Sequence, residues 1–63
     1  GGEDMQVGDL VRCRVTKDPN TIGVVAAIHN ATSALWSNRI EVLTKGKAHS
    51  WGEKRLEVIN ASR

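Results

Sequence analysis

From Arg39 to Val42 the chain reads Arg-Ile-Glu-Val, and from Val11 to Val15 it reads Val-Arg-Cys-Arg-Val, with apolar and charged residues changing place at every step. Such alternation fits a strand with one face buried, because successive side chains on an extended backbone point to opposite sides. Val11, Cys13 and Val15 therefore share an inner face, and Arg12 and Arg14 an outer one. By the same rule Ile40 and Val42 point inward, and Arg39 and Glu41 outward. No convincing apolar stripe of helical period runs beyond three turns, so the fold has to be built from strands.

The residues between these stretches set the strand count. A first strand over residues 7–16, "VGDLVRCRVT", is followed by "TKDPNT" (16–21), rich in turn formers, where Pro19 has no N–H to give a ladder. "TIGVVAAIHN" (21–30) is β-branched and nearly all apolar, and it reads as a central, strongly bent strand in which Gly23 marks a bulge or a close backbone approach. "ATSALWS" (31–37) is a loop running into a third strand, "NRIEVLT" (38–44). Lys45 and Gly46 fit a tight hairpin turn, with Gly46 taking the positive φ that other residues avoid. "KAHSW" (47–51) is then a fourth strand, "GEKR" (52–55) a single helical turn, and "LEVI" (56–59) a closing strand. The fold class this predicts is all-β: a small five-stranded barrel with a single helical turn before the last strand, closure removing the exposed edges of so small a sheet. Residues 1–4 read as a leader, 5–60 as one domain and 61–63 as a polar tail.

Four stretches carry a resemblance. "VGDLVR", "IGVVAAI", "IEVLTKGKAHSW" and "LEVI" resemble the Src-homology-3-like barrels found among small proteins of tailed bacteriophages and as KOW-type modules, over residues 6–59. The resemblance implies that Val-Gly-Asp leads into the first strand, that Gly-Val-Val lies in the second, and that a Trp precedes the turn before Leu-Glu-Val-Ile. Barrels of this kind serve many roles, so the likeness speaks to fold more than to function. Peptide-binding Src-homology-3 domains hold polyproline helices in a groove paved with aromatics. This chain has no Tyr, no Phe and two Trp, which argues against a proline-rich ligand.

Enzymatic chemistry finds little to work with. Sixty-three residues give a core that barely offsets the entropy of ordering the chain, leaving little room for a cleft. His29, His49 and Cys13 are the only soft metal ligands and stand isolated, whereas a structural zinc site takes four ligands, usually with a close pair. Cys13, in phase with Val11 and Val15, reads as a small core residue rather than a nucleophile. The carboxylates beyond the first four residues are scattered among basic neighbours, with no paired acid and base. The expectation is no enzyme, no metal, no cofactor and no small-molecule substrate. No apolar run approaches a membrane span, and the single cysteine requires no oxidising compartment. The expected location is the cytoplasm, that of the host if the chain is phage-encoded, or the virion. The sequons Asn30-Ala31-Thr32 and Asn60-Ala61-Ser62 are short enough to arise by chance.

Two surfaces remain as candidate sites. The first is the 31–37 loop, where Leu35 and Trp36 stand amid small residues with Arg39 just beyond as a charged rim, a pattern suited to a protein partner. Adjacent strand residues face opposite ways, so at least one of Leu35 and Trp36 is exposed. The second is basic: Arg12 and Arg14, extended by Lys17, form a stripe suited to phosphates or acidic surfaces. Its alternative is an ordinary solvated face in which an arginine pairs Glu57 or Glu41 across strands. The formal charge of +2, or +4 without Glu3 and Asp4, gives weak attraction to polyanions. Trp51 is either a stacking platform or the closure of one barrel end against Leu56 and Ile59. These readings favour a non-catalytic protein-binding module, a phage accessory or host-interacting protein, with a KOW-like nucleic-acid-binding barrel as the alternative.

Overall fold

The computed structural model describes residues 5–14, 21–33 and 36–60. Its strands are β1 Leu10–Cys13, β2 Ile22–His29, β3 Arg39–Thr44, β4 Lys47–Gly52 and β5 Leu56–Asn60, with a 3₁₀ turn, Glu53–Arg55, between the last two. They form one antiparallel sheet in the order β4-β3-β2-β1-β5. The all-β expectation and the helical turn before the last strand both hold.

The β3–β4 hairpin follows from two residues. Thr44 pairs with Lys47, leaving Lys45 at φ 52° and Gly46 at φ 77°. Two positive φ values make the turn whose twist matches that of the strands it joins. A second turn precedes β1. Gly8, at φ 98°, is its third residue; the Asp9 N–H donates to the Gln6 carbonyl at 3.0 Å, and the Gln6 N–H donates to Asp9 Oδ2 at 2.9 Å. This turn delays β1 to Leu10, where alternation alone had started the strand at Val7. Beyond Cys13 the ladder ends, and the Arg14 N–H donates to the Arg55 carbonyl at 2.9 Å.

β2 carries a bulge, three residues beyond Gly23. Val25 pairs with Val42 and Ala27 with Glu41, so Ala26 is an extra residue with no partner opposite. Such a bulge bends the strand and increases its twist. The first part of β2 pairs with β1 and the remainder with β3. The core lies inside this bend: Val11, Cys13, Val25, Ile40, Val42 and Leu56 are buried, with Met5, Ile28, Trp51 and Val58 packed around them. Val15, the third inward residue of the alternation, lies outside the described residues.

The sheet is not closed. β4 and β5 are its outer strands, so the edge protection expected from closure is not supplied by a ladder between them. Five flat strands would set the outer pair about 19 Å apart at 4.8 Å per step. The 3₁₀ link from Gly52 to Leu56 spans only about 8 Å. The sheet must therefore curve strongly to let β5 reach the far side of β1.

Candidate partner-binding site

The segment between β2 and β3 is tied down at its base. Asn38 accepts the Ala31 N–H through Oδ1 at 2.8 Å, and its carbonyl accepts the Glu53 N–H at 2.8 Å. The Trp36 N–H donates to the Ser33 carbonyl at 3.2 Å. On this frame Trp36 is 74% exposed, so the alternation that would have made it a core residue does not reach it: β3 begins three positions later. Leu35, its neighbour in the expected site, lies outside the described residues. Trp36 forms one wall of an open depression of about 290 Å³, whose remaining lining comes from residues 29–32, Ser37 and Arg39.

Arg39 stands at the edge of that depression as expected, and its exposed guanidinium donates from Nη2 to the Ser50 carbonyl at 3.1 Å. It lies opposite His29 in the β2–β3 register. The His29 ring turns toward Glu41 instead, with Nε2 to Oε2 at 3.5 Å. Two of the three residues of the expected site, Trp36 and Arg39, are therefore brought together on one surface.

Of the expected basic stripe, Arg12 and Arg14 are among the described residues. Arg12 pairs with Glu57 in the β1–β5 register, with Nη1 to Oε1 at 3.6 Å and both side chains about two-fifths exposed. Its Nε is buried without a hydrogen-bond partner. Arg14 is exposed in the bend after β1, where its N–H donates to the Arg55 carbonyl. Lys17 lies outside the described residues.

Trp51 is half-buried against the core and stacked on His49, ring centroids 5.0 Å apart and planes within 6°. One of its faces is thus already used. Cys13 is 1% exposed. Among the described residues no three of His, Cys, Asp and Glu converge as a metal site would require, and no helix is long and apolar enough to cross a membrane.

Alternation did not reveal a row of apolar residues across the outer face. Leu10 pairs with Val24, Val24 with Leu43 and Leu43 with Ala48, and both Val24 and Leu43 are exposed. Because 21–30 is apolar on both faces, periodicity could not say which of its residues faces water. The buried carboxylate of Asp9 was also missed; its signal was the Val-Gly-Asp turn itself. Comparison of the chain with protein-family models, curated proteins and solved structures finds no match.

Proposed function

We propose that the chain is a non-catalytic protein-binding module on a Src-homology-3-like barrel. The strand order, with β5 returning beside β1 after a three-residue 3₁₀ turn, supports the barrel reading, as does the curvature that this short link demands. The observation that carries the function is Trp36: a large, rigid aromatic, 74% exposed on a tethered loop, beside a depression rimmed by Arg39. Burying so large an apolar area with few rotatable bonds suits a Trp to an energetic hot spot, and Arg shares that enrichment. A phage accessory or host-interacting protein fits this reading and the sequence resemblance. The nucleic-acid alternative has less support because Arg12 is engaged by Glu57.

The test is affinity capture from lysate with and without nuclease, using the native chain and Trp36→Ala. A protein retained after nuclease, and weakened by about 2 kcal/mol or more by Trp36→Ala, is the expected result. The variant's folding stability should stay within about 0.5 kcal/mol of the parent, as for other surface positions. Loss of all retained material on nuclease treatment would favour the nucleic-acid reading instead.

A further inference from the structure

Among the described residues no strand pairs with the outer side of β4, the strand next to this site. In a two-residue hairpin the pair flanking the turn, Thr44 and Lys47, exchanges hydrogen bonds, and the pattern then alternates. Lys47, His49 and Trp51 therefore use their backbone groups on β3. Ala48 and Ser50 direct their N–H and C=O groups away from the sheet, and both residues are exposed. One of these groups is already engaged: the Ser50 carbonyl accepts the Arg39 guanidinium. Arg39 thus caps the edge of β4 and rims the Trp36 depression at once. Ser37, also in the depression, lies close enough to Gly52 that a Cβ there would stand 3.0 Å from its Oγ. The edge and the depression form one continuous surface.

Among the described residues the exposed charges of β4 and its hairpin turn are basic. β4 contains no acidic residue, and Lys45, Lys47 and Arg39 are exposed around it. Of the carboxylates nearby, Glu41 faces His29 at 3.5 Å, and Glu53 lies beyond the strand in the 3₁₀ turn. The two faces of β4 differ: Trp51 shares a side with Ile40 and the core, while Ser50 and the Arg39 side chain share the other.

We infer that the partner of the Trp36 site is an acidic, extended segment of another protein that adds to the sheet as a strand along β4. The inference rests on the protein-binding reading above. Backbone pairing supplies affinity in this mode, and alternate side chains supply specificity. An incoming N–H replaces the Arg39 guanidinium at the Ser50 carbonyl, so the carbonyl stays bonded throughout. The released guanidinium then pairs with a carboxylate on the outer face of the added strand, and charge-assisted bonds of this kind are the stronger ones. Apolar residues on the other face meet Trp51. The same Arg39 cap shields the edge from non-specific strand pairing while no partner is present.

The probe is a short, end-blocked peptide of alternating Glu and Val, titrated into the full chain by calorimetry. Three comparisons accompany it: the Lys-Val analogue, a Glu-Val peptide N-methylated at alternate amides, and the Ser50→Pro chain. Proline at position 50 removes an outward N–H and no bond to β3, a placement edge strands tolerate. The expected result is binding of the Glu-Val peptide alone, with a loss on the order of tenfold or more on removing the edge bonds from either partner. If Ser50→Pro does not fold, the methylated peptide makes the same test on the unaltered chain. Equal binding of the Lys-Val or methylated peptide would overturn the inference. So would a concentration-dependent dimer of the chain that Ser50→Pro dissolves, since the occupant would then be a second copy. A captured protein that Trp36→Ala releases and Ser50→Pro does not would sink the strand mode and leave the protein-binding reading intact. Release by neither variant would sink the reading itself.

Discussion

Gly23→Ala is the substitution for which the structure sets the sharpest expectation. Gly23 is buried on the inner face of β2, paired with Val11 of β1. A Cβ there would fall on the carbonyl oxygen of Leu43 and stand 2.6 Å from Val42 Cγ1, both in β3. Non-bonded carbons prefer about 3.5–4.0 Å. The Val42 methyl would have to retreat about 1 Å, but Val42 is itself in the core. Nor can the Leu43 carbonyl swing aside as a flexible side chain would, since it belongs to the β3 backbone. Overpacking usually costs about 1–3 kcal/mol, and a clash with backbone belongs at the top of that range. A chain of this length holds about 3–9 kcal/mol in total, so a loss near 3 kcal/mol lowers the midpoint by roughly 12–24 °C. Gly46→Ala is the control, because at φ 77° it has open space around it and carries only the left-handed backbone cost of about 1 kcal/mol. Thermal and urea unfolding of both variants, followed by far-UV circular dichroism, measures the contrast. If Gly23→Ala costs no more than Gly46→Ala, the close approach of β2 and β3 is wrong.

Trp51→Ala should cost about 2 kcal/mol in urea unfolding, below the usual 3–5 kcal/mol for a fully buried Trp because part of the ring stays exposed. A loss under about 1 kcal/mol would remove it from the core and make its ring a platform. A double-mutant cycle on Arg12 and Glu57 should return a coupling of about 0.2–1 kcal/mol, as for other partly exposed pairs. No coupling would leave Arg12 available to external anions. Cys13 should resist a thiol reagent in the native state and react in denaturant, with native-state labelling at the denatured rate as the contrary result.

Much of this fold is written locally. Alternation placed Val11, Cys13, Ile40 and Val42 in the core, and Lys45-Gly46 identified the hairpin and its geometry. Gly23 in an apolar run pointed to a close backbone approach, which Leu43 and Val42 supply. Properties set by the third dimension were harder to read. Val7 continues the alternation of β1, but Gly8 and Asp9 turn the backbone there, and local turn bonds outrank periodicity. The outer exposure of Val24 was hidden because its neighbour Val25 is equally apolar. Of the candidate site, Trp36 and Arg39 were legible as a loop aromatic and a nearby charge. The Arg39 bond to Ser50 was not, since it depends on the β3–β4 register and on which side of β4 is free.

Ala26 has a consequence that its chemistry would not suggest. It is small, uncharged and unpaired, and the β2–β3 partners are matched on either side of it. Removing it would leave those partners able to pair as before, Val25 with Val42 and Ala27 with Glu41, now without interruption. The bend at that point would relax, and with it the arc that lets a three-residue link carry the chain from one margin of the sheet to the other. Shape here is held in a count of residues rather than in the identity of one. A deletion that offends no rule of polarity or volume would therefore disturb this domain more deeply than many substitutions in its interior.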